Sequence, residues 1–343
     1  NRLMHPPRCQ PTRSLAAVTS IRDVAQRAGV APATVSRVLN GHAYVKPETA
    51  ARVHAAVDEL GYRRNASARA LRRQVTDLWS VIVSDLENPF FTALVRGAAG
   101  VARTRGFSTI LCNTGDDSVE EERYIGVALQ EQAAGVIITP GSDATDLGPL
   151  LEAGIPVVTV DRRLGSAEVD TVTVDNQLGT AQAAELLLEF GVRRPGCITG
   201  PRSVMTATER LAGFRKALAT HGVVLPRALI RHADYRVAGG RAAAASLLEA
   251  DEPPDGLFVT NNMMTMGALE ALDNAGLRLP DDFVLVGFDE VPWATLLRPQ
   301  LATVVQPSEE MGRQAGLLLA DRIAGVGGPA RDVVLRTEVR RPS

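Results

Sequence analysis

Six polar or charged residues in the second part of the sequence follow short apolar runs of the kind that form buried strands. They are Ser84, Asp85, Thr139, Asp161, Asn261 and Asp289. Because open α/β sheets bind ligands at the carboxyl ends of their strands, these side chains are expected to gather at one edge. Carboxylates and amides, combined with a donor arginine, can hydrogen-bond the hydroxyls of a sugar. Each residue alone more often caps the next helix, but the enrichment in Asp and Asn favours a ligand site.

The elements that would position these residues alternate along the chain from Trp79 onward. Apolar runs such as WSVIVS, GVIITP and FVLVGFDE predict strands, and amphipathic stretches predict helices at 90–104, 177–190, 207–221 and 263–275. Such alternation predicts parallel sheets covered by helices on both faces. Seven or more strands over this length indicate two consecutive doubly wound α/β halves, with a break near Asp175 and Asn176.

Sequence signatures of catalysis are missing from these halves. The chain has no GxGxxG after a strand, no GxxxxGK[ST] and no GxSxG, and its five histidines form no ligand pair on one helix face. Its three scattered cysteines argue against a metal pair or a disulfide framework and suggest a reducing cytoplasm. We therefore expect no enzyme, cofactor or metal. No apolar run approaches the roughly 20 residues of a membrane-spanning helix, so no membrane partner is expected.

Charge divides the chain into a basic head and an acidic body. Residues 1–75 hold 13 Lys and Arg against 4 Asp and Glu, whereas the remainder holds 24 against 35. The formal charges are therefore +9 and −11, which sum to the −2 of the whole chain. A basic head suggests a polyanionic partner, although a solvated basic face is the other interpretation of charge alone.

The head has the pattern of a helix-turn-helix. Apolar residues recur at helical spacing over 21–28 and again over 32–39. Gly29 follows the first helix, where a left-handed residue commonly ends a helix, and Pro32 opens the second. A third helix is predicted between Pro47 and Gly61. An ordinary small helical bundle is the alternative, but the basic charge and the short polar residues of the second helix favour DNA.

The segment NASARALRR, residues 65–73, predicts a helix with almost no apolar face, which would not be stable alone. Leu71 stands among arginines, a combination suited to wedging into a minor groove and kinking DNA. A charged interdomain linker is the other interpretation, and without further context it is the more ordinary one.

The run IRDVAQRAGVAPATVSRVLNG, with VKPETAARVHAAVDELGYRRNASARALRR after it, closely resembles the DNA-binding head and hinge of LacI/GalR-family transcription regulators. The resemblance implies that the second helix enters the major groove of a palindromic operator. It also implies that 65–72 folds as a hinge helix when two subunits pair, with Leu71 in the minor groove. The DNA-contacting residues implied are Ser20, Pro32, Ala33, Thr34, Ser36, Arg37, Asn40, Tyr44, Asn65, Arg69 and Leu71.

The remaining chain resembles the periplasmic sugar-binding-protein core of the same family. Six motifs fall in the family's order: NPFF, VDRR, TGP…ERLAGF, FVTNN, VGFDE and TVVQP. The effector pocket implied consists of Asn88, Phe90, Phe91, Thr139, Asp161, Arg162, Arg210, Tyr235, Asn261, Asp289 and Gln306. Phe90 and Phe91 could instead belong to the core. Asn262 departs from the Asp common at its position.

These observations predict a homodimeric, cytoplasmic repressor of sugar-utilisation genes that binds an operator and is controlled by a ribose-like pentose or hexose. A purine or nucleoside corepressor is the alternative effector. The expected domains are a disordered leader (1–18), a helix-turn-helix domain (19–64), a hinge helix and linker (65–76) and an effector-binding core (77–343). Within the core, 77–176 and 306–323 form the first half, and 177–305 and 324–343 form the second.

Overall fold

The described residues of the computed structural model are 20–39, 45–62, 76–165, 167–290 and 301–341. The chain divides at residue 72 into a head and a core. The leader, Asn40, Tyr44 and the hinge segment with Asn65, Arg69 and Leu71 lie outside the described residues, so those predictions stay predictions.

Three helices build the head: α1 (Ile21–Ala28), α2 (Pro32–Leu39) and α3 (Pro47–Glu59). Ser20 caps α1 through a reciprocal pair of hydrogen bonds with Asp23, and Gly29 ends it in the left-handed region at φ 64°. These local signals place the helices at their predicted bounds. The buried side chains that join them are Val24, Ala25, Ala28, Val35, Val38, Val53 and Ala56.

The first half of the core is a parallel sheet with helices on both faces. Its strands lie side by side in the order β2 (Ser108–Asn113), β1 (Leu78–Val83), β3 (Gly135–Ile138), β4 (Val157–Val160), β5 (Asp170–Val174) and β11 (Asp332–Leu335). Its helices are α4 (Pro89–Thr104), α5 (Ser118–Gln130), α6 (Gly148–Glu152) and α11 (Ser308–Ile323).

The second half repeats this architecture. Its strands lie in the order β7 (Ile230–His232), β6 (Pro195–Thr199), β8 (Gly256–Val259), β9 (Val284–Phe288), β10 (Ala302–Val305) and β12 (Glu338–Arg340). Only the edge strand β12 runs antiparallel to its neighbour. Its helices are α7 (Asn176–Glu189), α8 (Met205–Thr220), α9 (Val237–Leu248) and α10 (Asn262–Asn274), and a short 3-10 helix spans Arg227–Leu229.

The chain passes between the halves three times: from β5 to α7, from β10 to α11 and from β11 to β12. The first passage follows Val174, next to the predicted break. The assignment of all of 324–343 to the second half is wrong, because β11 pairs with β5 of the first sheet over Asp332–Leu335.

Close backbone contact fixes α11 to the first half. A Cβ atom added at Gly312 would lie 1.8 Å from the Leu94 carbonyl oxygen, and one at Gly97 would lie 2.0 Å from that of Glu309. Only glycine leaves room for α4 and α11 at this separation. The buried apolar face of α11 then packs against the first sheet through residues such as Met311 and Leu319.

A buried carboxylate, Asp170, holds the tail that carries β11. Its oxygens lie 2.7 Å from guanidinium nitrogens of Arg322 and Arg331, and the Arg331 backbone N–H donates to it at 2.8 Å. Burial raises the pKa of Asp170, but the hydrogen bonds from the two arginines outweigh this effect and lower the pKa to about 2. The cluster therefore fixes the start of β11 by electrostatics, which the apolar pattern did not reveal.

None of the helices in the described parts of the chain is long and apolar enough to cross a membrane.

The substitution Asp170→Asn is expected to lower the free energy of unfolding of the core by about 3 kcal/mol at pH 7, because Arg322 loses its counter-charge and Arg331 keeps only that of Asp321. Urea denaturation followed by circular dichroism measures this difference. The native pKa lies below that of the unfolded chain, so the stabilisation is present above about pH 4 and fades toward pH 2.

The control is Asp332→Asn on β11, because the Asp332 carboxylate lies 3.6 Å from Arg163 in a pair whose side chains are about half exposed. That pair is expected to change stability by less than about 1 kcal/mol. Equal effects of the two substitutions would contradict the role given to Asp170.

Candidate functional site

A cavity of about 400 Å³, including its opening to solvent, lies between the two halves at the carboxyl ends of their strands. Residues of both halves line it: Asp85, Asn88, Phe90, Phe91, Asp116, Asp161, Arg162, Arg210, Tyr235, Asn261, Asp289 and Gln306.

The structure brings together ten of the eleven residues predicted for the pocket. The exception is Thr139, which is fully buried at the end of β3 and does not line the cavity. Asp85 and Asp116 line it but were missing from the predicted set. Asp85 had been recognised as a strand-end residue, whereas Asp116 stands three residues beyond the end of β2.

Arg162 is held in place by acceptors on two loops. Its Nη1 lies 3.1 Å from the Pro140 carbonyl oxygen and 3.1 Å from Asp116 Oδ1. The Glu121 carboxylate in turn accepts from the Gly141 N–H and the Thr145 hydroxyl, each at 2.6 Å. Glu121 therefore fixes the loop whose carbonyl orients Arg162, which is a positioning role that the sequence did not indicate.

Arg210 is fixed from the second half. Its Nε donates to Asn176 Oδ1 at 2.9 Å and its Nη1 to the Thr260 carbonyl at 2.8 Å, while its guanidinium lies 3.9 Å from the centre of the Phe288 ring. Because three partners hold the guanidinium, the N–H groups that they leave unused face the cavity in a fixed orientation.

Two carboxylates, Asp161 and Asp289, are buried beside these arginines. Burial raises the pKa of Asp161, and the positive charges of Arg162 and Arg210 oppose it. Burial likewise raises the pKa of Asp289, to about 6, although Arg210 and a hydrogen bond from Gln306 lower it. Both carboxylates are therefore short of donors, which a ligand rich in hydroxyl groups would supply.

Of the six buried side-chain polar atoms without a hydrogen-bond partner among the described residues, two belong to residues that line the cavity: Gln306 Oε1 and Arg162 Nε. Gln306 donates its Nε2 to Asp289 at 2.5 Å, and Arg162 Nε lies 3.6 Å from Asp161 Oδ2, beyond hydrogen-bond distance. Since buried polar groups are nearly always paired in native proteins, one acceptor and one donor here are suited to a polar ligand.

Strained backbone is concentrated at the cavity. Five non-glycine residues of the described chain have φ in the left-handed region, and four of them line the site: Asp116 (62°), Asp161 (69°), Tyr235 (61°) and Asp289 (76°). Such conformations persist where the surroundings enforce them and are enriched at functional sites. Gly200 lies beneath the Tyr235 ring, since a Cβ atom there would lie 2.1 Å from Tyr235 Cζ.

Two residues, Asn88 and Asn261, both cap a helix and line the cavity. Asn88 Oδ1 accepts from the Phe90 N–H at the start of α4, and Asn261 Oδ1 accepts from the Met264 N–H at the start of α10, each at 2.9 Å. The capping interpretation of strand-end residues is therefore correct for Asn261, yet both residues also line the cavity. Asn262 Nδ2 donates to Asn88 Oδ1 across the cleft at 2.9 Å, a bond that an aspartate at position 262 could not form when ionised.

Phe90 and Phe91 fit both of the interpretations made from the sequence, as pocket residues and as core residues. Each is 5% exposed and belongs to the core of the first half, and each also lines the cavity. Their rings meet edge to face at 4.9 Å between centroids. They give the cavity an apolar wall opposite its charged groups. No three or more His, Cys, Asp or Glu side chains in the described parts are grouped to hold a metal ion.

In the head, α2 turns Val35 and Val38 inward and leaves Pro32, Ala33 and Arg37 exposed. Thr34 and Ser36 are half-buried at the margins of this face. Ser20 is exposed and engaged in capping α1. The described members of the predicted DNA-contacting set other than Ser20 thus lie along the exposed side and margins of one helix.

The substitution Asp289→Asn is expected to stabilise the unliganded protein by about 1–3 kcal/mol at pH 8 and by much less at pH 5. The native pKa of Asp289 exceeds that of the unfolded chain, so the native state retains a proton that the unfolded state loses. The cost of burying the carboxylate therefore grows as the pH rises from about 4 to above 6. Urea denaturation at both pH values tests this, and an equal loss of stability at both would contradict it.

Comparison with known proteins agrees with this geometry. Residues 76–338 match the family described as periplasmic binding proteins and sugar-binding domain of the LacI family. Residues 20–65 match the lacI family of bacterial regulatory proteins. The ribose operon repressor of Halalkalibacterium halodurans is 35% identical over 89% of this chain and 91% of its own length. The HTH-type transcriptional repressor PurR of Photobacterium profundum is 30% identical over 89% of this chain and 92% of its own length.

Two solved structures share the architecture. A complex of the transcriptional regulator CelR with cellobiose superposes with a TM-score of 0.71 at 34% identity, covering 94% of this chain and 98% of that one. The lac repressor dimer bound to operator and the anti-inducer ONPF has a TM-score of 0.84 at 25% identity, with the same coverage. Family members are regulators of transcription rather than enzymes. From its helix-turn-helix head, its paired α/β halves and these likenesses, the chain belongs to the LacI family of bacterial transcription regulators.

Proposed function

We propose that this LacI-family regulator is a cytoplasmic repressor of sugar-utilisation genes that binds a palindromic operator as a homodimer and releases it when a monosaccharide occupies the cleft. The observation that carries the proposal is the set of four carboxylates and two arginines that line the cavity against an apolar wall. A ribose-like pentose or a hexose has the alternation of hydroxyls and C–H faces that this lining matches.

The carboxylates favour a sugar over the alternative effector, a purine or nucleoside corepressor. An ionised carboxylate only accepts hydrogen bonds. Asp85 and Asp116 already accept from Arg236 and Arg162, whereas Asp161 and Asp289 are short of donors that a ligand could supply. Sugar hydroxyls supply one donor per ring carbon, whereas a purine offers few N–H groups. The alternative has its own support in the aromatic lining by Phe90, Phe91 and Tyr235, which could stack on a base, and in the repressor PurR among the relatives.

The edge strand β2 supports the dimer. Ile110 and Leu111 are 36% and 42% exposed there, and β2 has a neighbour on one side only. An edge strand with exposed apolar side chains is a surface for pairing with another chain, and regulators that read palindromic DNA pair through two-fold symmetry. We assign this edge to the subunit interface.

Closure of the cleft is the proposed link between sugar and DNA. Three connections join the halves, so a ligand held by residues of both can shift their relative positions and thereby the spacing of two paired heads. The size of the effect equals the difference in sugar affinity between the two states, and a tenfold change in operator affinity requires about 1.4 kcal/mol.

The test is fluorescence anisotropy of a labelled palindromic fragment from upstream of the protein's own gene, at fixed salt because phosphate contacts make affinity salt-dependent. Ribose, other pentoses, hexoses, purines and nucleosides are added in turn. One monosaccharide is expected to weaken binding at least tenfold, and Asp161→Asn is expected to remove this response while leaving DNA affinity unchanged. A response to purines alone would favour the corepressor alternative, and no binding to any genomic fragment would refute the repressor.

The substitution Arg37→Ala is expected to weaken operator binding by about 5- to 150-fold, which corresponds to the 1–3 kcal/mol of one bidentate contact to a base. Binding to unrelated DNA is expected to fall much less, because that binding rests on phosphate contacts. The control is Arg215→Ala, which removes an equally exposed arginine from α8 of the core. If both substitutions weakened specific and non-specific binding equally, Arg37 would be a phosphate contact instead.

A further inference from the structure

An ion pair joins the two halves at one end of the cavity. Arg236, which follows Tyr235 at the start of α9, places Nη1 2.6 Å from Asp85 Oδ2 at the end of β1. Its Nη2 also donates to the Gly115 carbonyl at 3.4 Å. Arg236 belongs to the second half, and both of its acceptors belong to the first.

The exposure of the two partners shows where the pair lies. The Asp85 side chain is 9% exposed and lines the cavity, whereas the Arg236 side chain is 35% exposed and does not line it. The inner partner therefore faces the ligand space and the outer partner faces solvent. The ion pair therefore lies between the ligand space and the solvent, at the margin of the cavity.

The Asp85 carboxylate and the backbone of Arg236 are each held by a neighbouring residue of their own half. Asp85 Oδ1 accepts from the Glu87 N–H at 3.0 Å, and the Arg236 N–H donates to Asp234 Oδ1 at 3.0 Å. Gly115 and Asp116 are consecutive residues in the left-handed region, and this turn brings the Gly115 carbonyl to Arg236 and the Asp116 carboxylate to Arg162. A pair with both ends fixed keeps its geometry better than a pair between free surface side chains.

We infer that Arg236 and Asp85 form a gate that restricts the cavity to a ligand with a single sugar ring. A second ring linked to the first would have to extend past the margin of the cavity, through the space that the pair spans. Admitting it would require breaking a partly buried charge-assisted hydrogen bond and leaving Asp85 without its counter-charge. The inference rests on the proposed sugar effector and makes a separate claim about its size.

The experiment compares the wild-type protein with Arg236→Ala by isothermal titration calorimetry. The probes are D-ribose, D-glucose, D-galactose and D-fructose, against the disaccharides cellobiose, maltose, lactose and sucrose. The wild type is expected to bind at least one monosaccharide and none of the disaccharides measurably. Arg236→Ala is expected to bind at least one disaccharide at least tenfold more tightly than the wild type, with monosaccharide affinity changed less than threefold.

The matched control is Arg241→Ala on the same helix, because Arg241 pairs at 3.3 Å with Glu270 of the same half, away from the cleft. This control is expected to leave the affinities for monosaccharides and disaccharides unchanged. Should truncation prevent folding, Arg236→Gln keeps most of the side chain without its charge and is expected to show the same relaxed selectivity in smaller degree.

Three results would overturn the gate. If Arg236→Ala binds the monosaccharide normally and still excludes every disaccharide, the pair does not limit ligand size, and the proposed function stands. If the wild type already binds a disaccharide as tightly as a monosaccharide, the gate is likewise refuted and the sugar effector retained. If neither protein binds any of these eight sugars, the sugar effector and the gate fail together.

Discussion

Burying several charges between two sheets is the constraint on which the rest of the core depends. Asp161, Asp289 and two arginines lie almost out of solvent, and an unpaired charge there would be prohibitively costly. The core meets this constraint by spreading the acceptors of each arginine over different elements: a β3 loop carbonyl and a β2 loop carboxylate for Arg162, and the first residue of α7 with the end of β8 for Arg210. Because so many elements contribute, the geometry of the cleft is a property of the whole fold.

The connections between the halves follow from the same need. Gln306 lies on the second of the three passages and donates a hydrogen bond to Asp289, so the cleft is in direct contact with one of the segments that connect the halves. The strand β11, from which the third passage leaves, is held at its start by Asp170 and two arginines, at the amino-terminal end of β5 and away from the cleft. One electrostatic cluster is therefore complete with protein groups alone, whereas the cluster in the cleft keeps an unpaired acceptor and an unpaired donor among its described residues. That difference separates a structural site from a ligand site.

Much of this arrangement could be predicted from residue types and spacing. The helices of the head follow from Ser20, Gly29 and Pro32, because caps and stops are local, and the alternating α/β pattern gave the paired sheets. Ten of the eleven pocket residues follow from strand ends and family motifs. Thr139 does not line the cavity, because a strand-end position does not say which face of the sheet its side chain takes, and its place in the effector site stays a prediction. Asp116 was missed because it stands three residues beyond the end of β2. Glu121 and the Asp170 cluster were missed because their partners are distant in sequence, and β11 was misassigned because four residues carry no signal for which sheet they join.

The cleft has features that lower the stability of the protein, and these features bear on how a ligand could act. A carboxyl group whose pKa is raised to about 6 by burial, and a tyrosine held at φ 61°, each make the unliganded core less stable than it could be. A ligand hydroxyl that donates to Asp289 would offset part of that desolvation, and a ligand that donates at once to Asp289 of the second half and Asp161 of the first could do so only when both halves contact the ring. The gain would therefore be confined to the closed arrangement. A conformational switch needs such a difference in ligand affinity between its two states, since a ligand with equal affinity for both does not shift the equilibrium between them. The instability of the empty site and its capacity to signal would then have the same physical origin.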